Sequence, residues 1–214
     1  MSLAKSGLRR AASVFASANP AVIAAIAGTG IVVFVVLGIL QRTAYPWWAL
    51  ANLDSEASAG TFFAATLFGT AAFSWVLVAY SDRPRTWQGA GWAALLVVLA
   101  LDEANAFHES LERSTSIDWQ LLYLPVMAIG GLLWWHVVKR HMPSPTSTLL
   151  IAVAVVWALA LVLELVQNWG GEPVRASIYD PAMVTEEGLE MVGSTLVLLA
   201  GVAALRRIPV AQPE

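Results

Sequence analysis

Three short polar stretches in an otherwise apolar chain carry the side chains able to do chemistry: LDEANAFHESLE at residues 101–112, LELVQNW at 163–169 and MVTEEGLEMVGS at 183–194. At about 100° per residue, Asp102, Asn105, His108, Glu109 and Glu112 fall within one helical stripe about 120° wide. Glu103, about 100° from Asp102, is expected to face elsewhere. The second stretch places Glu164, Gln167 and Asn168 on one face, and the third does the same for Glu186 and Glu190, with Glu187 and Ser194 at its edge. Several carboxylates gathered at low dielectric cannot all stay ionised without compensation by protons, by cations such as Arg42, Arg113 and Arg175, or by a metal ion.

One imidazole with several carboxylates is a ligand set for Zn, Mn or Fe, whereas an all-oxygen version suits Ca or Mg. The expected ligands are Asp102, His108, Glu109, Glu164, Glu186 and Glu190. A remaining glutamate, Glu190 or Glu187, is then the general base toward metal-bound water. The chain contains no cysteine, which removes disulfides, thiolate ligands and thiol nucleophiles. Of its three histidines, His136 and His141 belong to the other end of their segment, so neither paired Glu-x-x-His motifs nor HExxH is present.

The elements that position these groups follow from composition. The 214 residues are 58% hydrophobic and 13% charged, with a mean hydropathy of +0.67, more apolar than a soluble domain of this size hides. A membrane span needs roughly 20 apolar residues to cross about 30 Å of hydrocarbon. The segments that qualify run about Ala21–Leu40, Gly60–Tyr80, Trp87–His108, Leu121–Val138, Leu149–Asn168 and Met183–Leu205. Turn formers separate them: Tyr45-Pro46, SDRPR, the stretch 110–118, HMPSPTS, and NWGGEP through Asp180-Pro181. The expected fold is an all-α integral membrane bundle of about six helices, forming a single transmembrane domain over residues 1–214.

Orientation follows from the basic residues. Lys5, Arg9, Arg10, Arg83, Arg85, Lys139, Arg140, Arg206 and Arg207 fall on one side, against Arg42, Arg113 and Arg175 on the other. This bias puts both termini in the cytoplasm of a plasma (bacterial inner) membrane. Apart from Asp82 and Glu214, the acidic residues fall on the non-cytoplasmic side, where the polar stretches also end. Trp47, Trp48, Trp119 and Trp169 near the outer boundary and Trp87 near the inner one read as an interfacial belt. Thr66, Thr70 and Ser74 recur every four residues, a stripe that either lines the bundle interior or bonds back to its own helix.

The pair LDEANAFHE and EEGLEMVGS resembles one found in uncharacterised bacterial multi-span membrane proteins, in which an LDE...HE helix end accompanies a later EE..E helix start. The resemblance covers these two motifs and implies no activity. The expected function is a metal-dependent membrane hydrolase or oxidase on a lipid-like substrate. The alternatives are a proton or cation transport protein and a non-enzymatic subunit of a membrane complex. Membrane lipids are the expected partners, a homo-oligomer or larger complex is compatible with the short loops, and no nucleic acid is expected.

Overall fold

A computed structural model describes residues 2–53, 55, 58–81, 87–169 and 172–208, with 2–5, 109, 168–169 and 172–179 described in backbone only. Among the described residues the secondary structure is helical: α1 (Ser2–Ser17), α2 (Pro20–Thr43), a 3-10 turn (Ala49–Ala51), α3 (Ala59–Ser81), α4 (Trp87–Asn105), α5 (Phe107–Thr115), α6 (Trp119–His141), α7 (Pro145–Trp169) and α8 (Glu172–Leu205). The helix starts are written locally. The Asn19 side chain accepts the Ala21 N–H with Pro20 in the first turn of α2, and Asp118 accepts the Gln120 N–H at the start of α6. At α7, Ser144 and Ser147 each accept the other's backbone N–H at 3.2 and 3.1 Å.

Among the described residues, five helices are long and apolar enough to cross a membrane: α2, α3, α6, Pro145–Gln167 of α7 and Asp180–Leu205 of α8. Each coincides with an expected span. The remaining one, α4, is not among them, since its 19 residues include Gln88, Asp102, Glu103 and Asn105. It is also shorter than expected. The helix ends at Asn105, and the backbone turns at Ala106 before α5 begins.

Burial ranks the helices. The α8 span is 61% buried and α3 44%, whereas α2, α7 and α6 are 11%, 17% and 22% buried, so α3 and α8 form the centre and the others surround it. Ile151, Val155, Leu159, Val162 and Val166 make an exposed apolar stripe down α7, and Val22, Ile26, Val33 and Val36 do so on α2. Water does not tolerate such surfaces on this scale, whereas lipid covers them.

Small residues let the central helices approach. A Cβ on Gly201 of α8 would collide with Ser74 Oγ and lie 3.3 Å from Trp75 Nε1 of α3. Trp75 is 1% exposed and donates its indole N–H to the Val197 carbonyl at 3.1 Å. Gly201→Val is therefore expected to destabilise the fold by about 1–3 kcal/mol through overpacking, seen as an earlier thermal transition in detergent. A transition unchanged from wild type would show that α3 and α8 do not meet there.

The hydroxyl stripe of α3 bonds to its own helix. Thr66, Thr70 and Ser74 donate to the carbonyls of Phe62, Thr66 and Ala71, each at 2.7 Å. At the opposite end of the chain, Leu8, Ala12 and Phe15 of α1 pack on the central core, and Arg206 donates to the Ala16 and Ala18 carbonyls at 3.0 and 2.7 Å. These bonds satisfy carbonyls at the end of α1 and tie it to the end of α8.

Candidate functional site

The site begins where α4 stops. The Ala106 N–H completes the last turn by donating to the Asp102 carbonyl at 2.7 Å, and Ala106 itself then takes a left-handed conformation, φ 51°. For a residue with a Cβ this costs about 1–2 kcal/mol, so the surroundings must hold it. Asp102 supplies that hold. Its Oδ1 accepts the backbone N–H of His108 at 3.0 Å, capping α5 from the preceding helix, and its Oδ2 lies 3.2 Å from His108 Nδ1.

A third donor converges on the same carboxylate: the Tyr123 hydroxyl, from the first turns of α6, donates to Asp102 Oδ1 at 3.0 Å. Asp102 is 8% exposed, so these bonds lie largely away from water. The imidazole packs against two aromatic rings of α6, 5.1 Å from Trp119 and 6.4 Å from Tyr123 between centroids. Trp119 in turn donates its indole N–H to Glu164 Oε1 of α7 at 2.5 Å. The indole thus sits between the imidazole and a carboxylate from another helix.

Glu186 of α8 accepts from Gln167 Nε2 of α7 at 2.5 Å. One turn further along α8, Glu190 lies in the field of the Glu103, Glu187, Glu186 and Glu164 carboxylates. The Ser194 hydroxyl at the expected edge of that face donates to the Glu190 carbonyl at 2.9 Å and so belongs to the helix.

Among the described residues, the expected ligands meet other partners. Among the described residues, no group of three or more His, Asp or Glu side chains is placed to hold a metal ion. Asp102 and His108 bind each other, Glu164 binds Trp119 and Glu186 binds Gln167, while the Glu109 side chain lies outside the described residues. The physical reason is the break at Ala106. A single stripe from Asp102 to Glu112 requires one continuous helix, and the left-handed residue re-aims everything after it. Glu103, expected off the stripe, is instead among the carboxylates that act on Glu190.

The two α6 aromatics were not expected at the site. Trp119 reads from sequence as belt, and it differs from Trp47 and Trp87, both 71% exposed, in having a buried-side acceptor. The available signal was the i, i+4 spacing of Trp119 and Tyr123, which puts both on one face at the polar end of their helix. Trp119→Phe keeps the ring packing and removes the donor to Glu164. A hydrogen bond to a carboxylate of this kind contributes about 1.5–3 kcal/mol, so the variant is expected to melt earlier with unchanged helix content by circular dichroism. An unaltered melting curve would mean that Glu164 has an equivalent partner.

A family model described as a domain of unknown function, DUF8692, matches residues 11–205, nearly the whole chain. The chain belongs to the DUF8692 family. The match runs from α1 to the end of α8, so in this DUF8692 protein it includes both halves of the site, Asp102–His108 and Glu164–Glu190. No curated protein and no solved structure matches it.

Proposed function

We propose that this DUF8692 protein is a six-span protein of the bacterial inner membrane with both termini in the cytoplasm, and that its Asp102–His108 pair exchanges protons at the non-cytoplasmic side. One observation carries the reading: a buried carboxylate grips both the backbone and the ring of a single histidine while also accepting from Tyr123. With Nδ1 donating to Asp102, Nε2 is the nitrogen that takes up and releases a proton. Asp102 is then a positioning residue and His108 the acid–base group. Glu103, and Glu164 held by the Trp119 indole that packs on the imidazole, are the carboxylates able to relay that proton toward Glu190. The chemistry served is proton transfer to or from a lipid-like substrate reaching the outer leaflet, and the exposed α6 and α7 faces leave that approach within the bilayer.

A second reading keeps the same residues and compensates the negative field with a divalent metal ion. The four carboxylates acting on Glu190 favour it. Glu164 and Glu186 would leave Trp119 and Gln167 to converge with Glu190 on His108, oriented by Asp102 as metal-bound histidines are by a carboxylate, leaving Glu187 as base. The ion would polarise a substrate oxygen or a water.

Infrared titration in lipid nanodiscs, with metal analysis of the same preparation, separates the two. Proton exchange predicts imidazole and carboxyl bands that change together and lose their coupling in Asp102→Asn and His108→Gln, in protein free of stoichiometric metal. One metal per chain, removed in step with those bands by a chelator, would replace the first reading with the second. Bands that titrate independently in wild type would contradict both.

A further inference from the structure

Left-handed residues set α5 apart from the helices on either side, Ala106 with φ 51° before it and Ser116 with φ 56° after it. Each re-aims the chain, so α5 prolongs neither α4 nor α6. At about 100° per residue, Phe107 and Leu111 fall within about 40° of each other, His108 lies on one flank of that edge, and Arg113 lies about 140° away from it. The flank with His108 is turned to the protein, where the imidazole meets Asp102, Trp119 and Tyr123. Phe107 and Leu111 are 50% and 43% exposed. Arg113 is also exposed and bonds to Ser110 within α5.

What covers the Phe107–Leu111 edge follows from its level along the bundle. That level is fixed by His108, which lies beside Asp102 of α4 and Tyr123 of α6. There the neighbouring helices already present apolar side chains outward: Leu101, next to Asp102, and Leu121 and Leu124, either side of Tyr123, are all exposed. Because α6 is of membrane-spanning length, its exposed leucines face lipid. The membrane therefore reaches the level of α5. A short helix with an apolar edge and a charged opposite side, held where lipid begins, has the make-up of one that lies in the membrane surface.

We propose that α5 is an interfacial helix, with the Phe107–Leu111 edge inserted at the boundary between headgroups and acyl chains and the Arg113 side turned to water. Since Phe107 and His108 are consecutive, the insertion holds the imidazole at the level of lipid headgroups. On the acid–base reading, that is where a lipid-like substrate presents its polar end. The insertion itself rests on the placement of α5 and not on that reading.

The chain has no cysteine of its own, so single nitroxide labels report on chosen positions. Phe107→Cys, Ser110→Cys, Leu111→Cys and Arg113→Cys are labelled in the full chain, in vesicles of phosphatidylcholine with phosphatidylglycerol, with Leu124→Cys as the lipid-facing reference. Collisions with oxygen, which concentrates in lipid, are compared with collisions with a nickel chelate, which stays in water. Positions 107 and 111 are expected to favour oxygen, as 124 does, and 110 and 113 to favour the chelate. Preference for the chelate at all four would overturn the insertion. Labels at 107 and 111 reached by neither reagent would overturn lipid as the cover, and dipolar coupling between chains at 111 would identify a second copy in its place. Unlabelled protein gives a second measurement. Phe107→Ser with Leu111→Ser is expected to speed amide exchange across α5 about 30-fold in the same vesicles, from roughly half of each side chain's transfer energy. Unchanged exchange would count against insertion. The label pattern does not depend on how the infrared bands of Asp102 and His108 titrate, so the insertion and the acid–base reading fail separately.

Discussion

Asp102→Ala is expected to destabilise the protein by about 3–5 kcal/mol and to loosen α5 before the rest of the fold. The size follows from what the carboxylate does. It accepts the His108 backbone N–H, faces the imidazole and accepts the Tyr123 hydroxyl, and alanine strands all three in a site with little water. Each stranded donor costs about 1–3 kcal/mol, and three of them in one site set the size of the loss. For a chain of this length the loss corresponds to a fall of about 10 °C in Tm. Hydrogen exchange localises it. Ala106 keeps its left-handed conformation only while Asp102 caps the following helix, so the amides of α5 should exchange first. A melting temperature within a degree or two of wild type, with α5 amides still protected, would show that Asp102 does not hold this segment.

Glu190→Gln is expected to act in the opposite sense, raising stability while removing proton exchange at the site. Glu190 sits among the carboxylates of Glu103, Glu187, Glu186 and Glu164. Two like charges about 6–10 Å apart at an effective dielectric of about 20 repel by about 2–3 kcal/mol. The neutral isostere removes part of this repulsion, so a gain of about 1–2 kcal/mol is expected. Stability gained at the expense of activity marks a residue retained for function. Thermal melting together with the infrared titration checks both halves. A destabilised Glu190→Gln protein would mean that the carboxylate is paired with a cation and is structural.

Five of the expected spans were legible in the sequence because each rests on one local quantity, an apolar run long enough for the bilayer. The runs expected at 60–80 and 121–138 reappear as Ala59–Ser81 and Trp119–His141. Other features depended on contacts no local pattern records. No helix was expected before the first span, yet Leu8, Ala12 and Phe15 of α1 pack on the core formed with α3 and α8. The GGEP and Asp180-Pro181 breakers mark a loop, yet α8 is helical from Glu172 and carries Pro181 within it.

The site was legible as composition and illegible as geometry. Hydrogen bonds tie LDEANAFHE and LELVQNW to the start of α6, and LELVQNW to EEGLE. Nothing in LDEANAFHE announces a helix break, because the turning residue is alanine rather than glycine or proline, and its left-handed backbone is held by a side chain four positions earlier. Once the helix breaks there, a stripe drawn through it loses its meaning. Pairing Trp119 with Glu164 and Tyr123 with Asp102 requires α6 to sit between α4 and α7, which is tertiary information.

The state of His108 tests the central claim most directly. Nitrogen-15 NMR of selectively histidine-labelled protein in nanodiscs, with His136→Gln and His141→Gln used to assign the remaining signal, reports which ring nitrogen carries the proton. The account predicts a neutral imidazole protonated on Nδ1, with a proton signal displaced by its bond to a carboxylate, and loss of that pattern in Asp102→Asn. A histidine protonated on Nε2, or one whose signals are the same in wild type and Asp102→Asn, would contradict it.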